Sequence, residues 1–468
     1  MSLPSSLEAF QVHQTLVLNI TGLNAHGDGI GHLDEAHPTV FVPNTVPGDR
    51  VCARVTNIKR TYAYAQLMQV LTPSPHRVRP ACIVADKCGG CQWQAVDYAA
   101  QLTQKKDQVL QALRRIGKFA DPQVLDVMAA PDPLGYRNKA TYPLAWSPDR
   151  DRVKAGYYQR GTHKLINLNQ CPIQDGQFNP LLAQLKQDIH RRGWSIYEET
   201  THQGSLRHLS LRLGRRTGEM LITLVSCDRH LPQIQEQAQE WLERYPAVVG
   251  INLNLNRDRT NRIFGPRTET VAGRPYLREI FAGLEFQIQA DTFFQIYTEQ
   301  AEALVNRMFE ALQLTGSETV IDAYCGIGTL TLPLAQRVKA VQGIEVHPES
   351  IRQAQENAQR NHLGNVQFLE GKVDHRLAEI SQPPDLLLLD PPRKGCEGAV
   401  IDQIQRLQPR TILYLSCNPA TLARDLQLLC QSGPYELKWV LPVDFFPQTA
   451  HIEALAYLSL ETKHELIA

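Results

Sequence analysis

Residues 11–71 alternate short apolar and β-branched runs, QTLVLNI, PTVFVP, RVCARVTNI and YAYAQLMQVL, with turn-forming stretches such as HGDGIG and VPGDR. Alternation at a period of two, punctuated by Gly, Asn, Asp and Pro, predicts a small all-β barrel. The stretch TPSPHRVRP follows with three prolines in nine residues, which a sheet does not accommodate, and marks a boundary. Residues 73–280 mix a helical stretch over 98–118 with strand-like runs, SLRHLSLRLG and MLITLVS. That is a mixed α+β pattern whose fold cannot be named from periodicity.

The pattern becomes regular again near residue 281. TEQAEALVNRMFEALQL sets Ala301, Leu304, Val305, Met308 and Leu312 on one helical face. Strand-like TVIDA, AVQGIEV, NVQFLEG, DLLLLD and TILYLS then alternate with helical segments, which predicts an open, mostly parallel α/β sheet. Ligands of such sheets lie beyond the carboxyl ends of the strands, near the switch in strand order. The expected organisation is a barrel over 1–72, a mixed part over 73–280 and an α/β part over 281–468.

Composition narrows the class. A hydrophobic share of 43% and a charged share of 21% rule out wholesale disorder. The N-terminal MSLPSSLEAFQVHQ lacks a basic start and an apolar core, and no apolar run approaches the roughly 20 residues of a bilayer span. The expectation is a cytoplasmic protein with no membrane partner; no obligate protein partner is evident. The formal net charge is zero, yet residues 73–280 carry 30 Lys/Arg against 20 Asp/Glu and residues 281–468 carry 14 against 23. A basic middle can track phosphates while an acidic end does chemistry, although solvated surfaces alone give the same counts.

The candidate chemistry collects at the predicted strand ends. TVIDA runs into Asp322-Ala-Tyr-Cys-Gly-Ile-Gly-Thr329, where Gly326 and Gly328 let the backbone approach a ligand before a helix begins. The next strand ends in Glu345, where doubly wound folds keep an acid for a ribose diol. The dinucleotide fingerprint lacks its third glycine and an acid already sits at the first strand end, so a smaller cationic cofactor, S-adenosylmethionine, fits better than NAD. Asp322 would lie near its charged methionine portion, and Tyr324 would line the pocket. Asp390-Pro-Pro-Arg393 closes the fourth strand, its prolines stiffening a pocket wall.

Leu415-Ser-Cys417-Asn-Pro419 closes the fifth strand and sets a thiol directly before a helix, whose first amides favour the thiolate. A thiolate that adds to carbon 6 of uracil makes carbon 5 nucleophilic, and a base must then remove the carbon 5 proton. Glu453, in His451-Ile-Glu453, is the expected base, with His451 as its rival. Cys227 and Cys430 read as small buried hydrophobes.

In order along the last part, FxQ (Phe293 to Gln295), DxYCGxGT, Glu345, LDPPR, LSCNP and HxE resemble the RNA 5-methyluridine methyltransferase family. The resemblance implies a class I, Rossmann-like methyltransferase domain. It implies that Gln295, Tyr324, Glu345 and Asp390 contact S-adenosylmethionine, that Phe293 lies near the target base, and that Cys417 is the nucleophile and Glu453 the base. The family's polar contact after the third strand has no clean match, and Lys372 and Asp374 both stay open. Cytosine carbon 5 methylation uses similar thiol chemistry and is a second reading; an RNA-binding protein that keeps the fold without turnover is a third.

Ten cysteines in a reducing compartment point to metal binding, catalysis or burial. Cys82, Cys88 and Cys91 are spaced C-x5-C-x2-C, and Cys171 follows. Four thiols suit zinc or an iron–sulfur cluster; three close together and one distant favour [4Fe–4S]. The same pattern occurs in the ribosomal-RNA branch of the resembled family, where the cluster helps hold the fold and the RNA. The barrel resembles that branch's OB-like TRAM domain, which implies RNA binding through features such as Lys59, Arg60, Tyr62 and Tyr64. The implied target is 23S ribosomal RNA, with transfer RNA as the alternative.

Overall fold

A computed structural model of the chain describes residues 10–33, 38–147, 149 and 151–461. Residues 1–9 of the stretch read for a leader lie outside the described residues. Strands β1 (Thr15–Leu23), β2 (Gly29–His32), β3 (Thr39–Val42), β4 (Arg50–Ile58) and β5 (Tyr62–Thr72) close into a barrel in the order β1-β2-β3-β5-β4. Period-two alternation is the cause: Leu16, Leu18 and Ile20 of β1 turn inward onto Val40, Val42, Val51, Ala53 and Val55. β3 and β5 pair in parallel, the other neighbours antiparallel.

Helix α1 (Tyr98–Arg115) comes next. Asp97 caps it by accepting from Ala100 N at 3.0 Å. Strands β6 (Lys139–Ser147), β7 (Arg152–Tyr158), β8 (Leu165–Asn167), β9 (Leu206–Leu213), β10 (Met220–Ser226), β11 (Val248–Leu255) and β12 (Arg267–Gly273) form a sheet in the order β12-β11-β10-β9-β6-β7-β8. Helices α2 (Phe178–Arg191) and α3 (Ile234–Arg244) bury Phe178, Leu182, Ala238 and Trp241 in its core. SLRHLSLRLG and MLITLVS supply β9 and β10, which are central and buried along most of their length. A hairpin, β13 (Tyr276–Phe281) and β14 (Leu284–Gln289), turns on Ala282 and Gly283, both at positive φ (50° and 80°). Helix α4 (Thr298–Leu312) follows, buried along the face the apolar spacing predicts.

The last sheet contains β15 (Thr319–Ala323), β16 (Ala340–Glu345), β17 (Val366–Glu370), β18 (Leu386–Leu389), β19 (Thr411–Ser416), β20 (Tyr435–Val443) and β21 (Glu453–Leu460). Helices α5 (Thr331–Ala335), α6 (Pro348–Arg360), α7 (Val373–Glu379), α8 (Gly398–Leu407) and α9 (Pro419–Cys430) connect them. The order is β17-β16-β15-β18-β19-β21-β20, parallel from β17 to β19, with β21 antiparallel to β19. The order reverses between β15 and β18. Because β21 runs the other way, its first residue lies at the edge where the parallel strands end.

Helix α1 falls within the part assigned to residues 73–280, yet its apolar face lies on the last sheet. Val109 and Leu113 share a core with Ile321, Leu387, Leu426 and Val440. Residues 124–128 extend this attachment through bridges from Val124 to Val440 and from Met128 to Val443. Among the described residues, no helix is long and apolar enough to cross a membrane.

Candidate active site

Four parallel strands of the last sheet, at their carboxyl ends, and β21, at its amino end, bring the candidate residues to one edge. β15 delivers Asp322, β16 ends on Glu345, and Asp390 follows β18. Cys417 follows β19, and Glu453 opens β21. The last paired residues of β19 and β21 are Ser416 and Ala454. Extended by one step, the antiparallel register sets Cys417 opposite Glu453, and the Glu453 charge acts on the Cys417 thiol.

The turn after β15 is bent for close approach. Tyr324, Gly326 and Gly328 all have positive φ (70°, 56° and 85°), and a Cβ on Gly326 would meet no atom within 4 Å. Gly326 N donates to Glu345 Oε2 at 3.2 Å, while Val346 N and His347 N donate to Glu345 Oε1 at 2.8 and 2.9 Å. These amides fix the carboxylate at the strand end. Thr331 Oγ1 donates to Asp322 Oδ2 at 2.5 Å.

The acids of the crevice are crowded. Burial pushes Asp322 up to about 7 against the hydrogen bond from Thr331, and the charges of Asp390 and Glu345 add to the shift. Burial raises Asp390 to about 7. Glu453, 8% exposed, is pushed up to about 8 by burial and by Asp390. Buried carboxyls that raise one another form a site that a cation would relieve, and S-adenosylmethionine carries a sulfonium and an ammonium.

The helix start does not lower the Cys417 thiol as expected. Burial raises it first, then the charges of Glu453 and Asp390, with the Arg393 guanidinium opposing. The Asn418 side chain already accepts from Ala420 N at 3.1 Å, so the α9 cap is satisfied within the chain. Desolvation by its surroundings, followed by the nearby Arg393 charge, lowers His451 below the usual imidazole value. No hydrogen bond or ion pair holds the Glu453 carboxylate among the described residues.

Phe293 and Gln295 sit between β14 and α4. Phe293 is 70% exposed, whereas Phe294 packs on Phe281 and Gln295 is buried. Asn138 Nδ2 donates to Gln295 O at 2.8 Å and to Thr298 Oγ1 at 3.0 Å, fixing this segment. The Tyr324 hydroxyl faces Cys396, and burial followed by that thiol raises its pKa. Lys372 and Asp374 both act on Glu397, which leaves neither singled out.

Sequence reasoning missed a set of residues behind Glu453. Lys105 Nζ donates to Asp444 Oδ1 at 2.6 Å, both side chains fully buried, and Tyr98 Oη donates to Asp444 Oδ2 at 3.0 Å. Breaking one side of such a pair costs about 3–5 kcal/mol. The signal was present: Gln101 and Lys105 continue the buried stripe of Val109 and Leu113 at helical spacing, polar residues on a face that must be covered.

Cys82, Cys88, Cys91 and Cys171 line one pocket together with Gln94, Arg137 and Tyr157, and no carboxylate lines it. All ten cysteines are unpaired. Burial raises Cys91 to about 12 and Cys171 to about 11. The donor set, four thiols beside one arginine, fits a thiophilic metal or an iron–sulfur group in its chemistry. Among the described residues, however, no group of three or more His, Cys, Asp or Glu is already arranged to hold a metal ion.

The tRNA (uracil-5-)-methyltransferase family matches residues 97–461, and the TRAM domain matches residues 9–68. An uncharacterized RNA methyltransferase of Nostoc sp. is 57% identical over 94% of this chain and 95% of its own length. One from Listeria innocua is 37% identical over 96% and 98%. The crystal structure of Pyrococcus abyssi tRNA (uracil-54, C5)-methyltransferase with S-adenosyl-L-homocysteine superposes with a TM-score of 0.76 at 27% identity, covering 94% of this chain and 99% of that one. The chain therefore belongs to the tRNA (uracil-5-)-methyltransferase family, carries a TRAM domain in front of it, and is an RNA (uracil-C5)-methyltransferase whose methyl donor is S-adenosylmethionine.

Proposed function

We propose that the protein methylates carbon 5 of a uridine in 23S ribosomal RNA, in the cytoplasm, with Cys417 as nucleophile and Glu453 as base. The observation that carries the mechanism is the placement of Cys417 and Glu453 on facing positions just past the Ser416–Ala454 pair. The Cys417 thiolate bonds to carbon 6, carbon 5 takes the methyl group as its bond to the donor sulfur breaks to leave S-adenosylhomocysteine, Glu453 removes the carbon 5 proton, and the carbon 6–sulfur bond breaks to return the thiolate. Asp390 faces both cofactor and base, Gln295, Tyr324 and Glu345 complete the cofactor site, and Phe293 offers an exposed ring for an extruded uridine.

Three parts share the work in this reading: the barrel over 1–72, the cysteine-bearing part over 73–280 and the methyltransferase part over 281–468. Cys82, Cys88, Cys91 and Cys171 hold a [4Fe–4S] cluster that ties the fold together without entering the methyl transfer. Four thiols on one pocket with no carboxylate support that ligand set.

Transfer RNA is the second reading. The P. abyssi enzyme that acts on tRNA uracil 54 is matched along 99% of its length, so a barrel and a central part do not by themselves select ribosomal RNA. Methyl-labelled S-adenosylmethionine, undermodified 23S ribosomal RNA and undermodified transfer RNA, assayed side by side and digested to nucleosides, decide between them. Labelled 5-methyluridine from ribosomal RNA, abolished by Cys417→Ala, is the expected result. Label in transfer RNA alone transfers the assignment to the second reading; undiminished turnover by Cys417→Ala overturns the mechanism.

A further inference from the structure

Residues 444–452 join β20 to β21 and lead to Glu453, and the turn over 444–450 is their first part. They are held from outside their own sheet. Gln101, from α1, donates through Nε2 to Gln448 Oε1 at 3.2 Å and accepts from Gln448 N at 2.9 Å. Trp93 N donates to Gln448 O at 3.0 Å, and Ala450 N donates to Gln92 Oε1 at 3.4 Å. Lys105 Nζ holds Asp444 and also donates to Phe446 O at 3.0 Å. Gln448 stands at φ 70°, a conformation a non-glycine residue rarely keeps without such support. Gln92 and Trp93 directly follow Cys91, so the strut runs from the cysteine segment through α1 to the turn before His451.

Cys417 is fixed by a different set. It follows β19, and its neighbours bond locally: Asn418 N donates to Ser416 Oγ at 3.2 Å, and Asn418 Nδ2 donates to Arg393 O at 3.2 Å. Beyond the β19–β21 pairing that they share, nucleophile and base are held by different side-chain contacts.

We propose that Gln101 and Lys105 are positioning residues for the base, setting the place of the 444–450 turn and through it the carboxylate of Glu453. This rests on the reading of Cys417 and Glu453 given above. Thiolate addition and methyl transfer proceed without the strut; removal of the carbon 5 proton and release of the RNA depend on it. A misplacement of about 1 Å in a reacting group can cost about 100-fold in rate.

Single-turnover reactions of the full chain with labelled S-adenosylmethionine and substrate RNA follow two species: methylated RNA covalently attached to protein, and free methylated RNA. Gln101→Met keeps the volume of the side chain and removes its amide. It forms the attached species at the wild-type rate and releases it about tenfold or more slowly, so the attached species accumulates. Val109→Ala, a core change on the same helix, lowers thermal stability without altering the ratio of the two rates. If Gln101→Met fails to fold, Gln448→Met removes only the side-chain bond and slows release by a smaller factor. Equal loss of both rates, or no change in either, overturns the proposal. Glu453→Gln in the same assay traps the attached species; its release at the wild-type rate refutes the base assignment itself rather than the strut.

Discussion

Cys417 and Glu453 face each other one step beyond the last paired residues of β19 and β21, Ser416 and Ala454. Only an antiparallel strand inserted beside a parallel one produces this, because the end of one strand then meets the start of the other. The two groups interact unfavourably in the empty site: Glu453 charge raises Cys417, after burial, while burial and Asp390 raise Glu453 to about 8. Burial and neighbouring charge therefore favour the protonated form of both reacting groups.

Cofactor binding should strengthen with pH. Asp322 and Asp390, at about 7, and Glu453, at about 8, are largely protonated below pH 7, and a cation beside them favours their ionised forms. Calorimetry is expected to show tighter S-adenosylmethionine binding at pH 8.5 than at pH 6, with proton release. The gain is up to about tenfold per pH unit for each proton lost. Affinity independent of pH would contradict the crowded-acid account.

The same shifts set the pH dependence of stability in the cofactor-free protein. An ordinary carboxylate titrates near about pH 4, whereas these acids hold their protons to pH 7–8 when folded. Between those values the folded state binds more protons than the unfolded one, so stability falls as pH rises through the window. Thermal denaturation from pH 4.5 to pH 8 should show a declining contribution from the site. Asp322→Asn should flatten it.

Attachment of RNA to Cys417 should accelerate as pH rises from 7 to 9. The raised thiol supplies little thiolate at neutrality, and below its pKa each unit of rise in pH multiplies that fraction by about ten. Rapid-quench measurement of the covalent species checks this. Arg393→Ala should slow it further, since the guanidinium is the opposing charge that favours the thiolate.

Gly395 should not tolerate a side chain. It stands at φ 77°, and a Cβ there would come 2.5 Å from Asp425 Oδ2, which accepts from Tyr414 Oη at 2.5 Å and Cys396 N at 2.8 Å. Gly395→Ala is expected to disturb the loop after Asp390-Pro-Pro-Arg393, lowering thermal stability and weakening cofactor binding together. Unchanged binding by titration would show the loop to be independent of that network.

The crevice was legible in the sequence because its parts sit at strand ends. Asp322, Glu345, Asp390 and Cys417 each close an apolar run that predicts its own strand, so one-dimensional order fixed their edge. The contact of Cys417 with Glu453 was not legible, since it depends on β21 entering antiparallel. The packing of helix α1 on the last sheet was not legible for a related reason. Its buried stripe begins with Gln101 and Lys105, and their partners, Gln448 and Asp444, lie more than 300 residues away in sequence. The four cysteines were legible as a set, and the structure gathers them on one pocket without bringing them to metal-ligand arrangement.

The central claim is that Cys417 bonds to carbon 6 and that Glu453 must then remove a proton from carbon 5. RNA carrying 5-fluorouridine has no such proton, so its adduct cannot resolve. Incubation of the wild-type protein with S-adenosylmethionine and this RNA, followed by digestion and mass spectrometry, is predicted to give a methylated fluorouridine adduct on the peptide containing Cys417. An adduct on another cysteine, or none while ordinary RNA from the same preparation is methylated, would contradict the account.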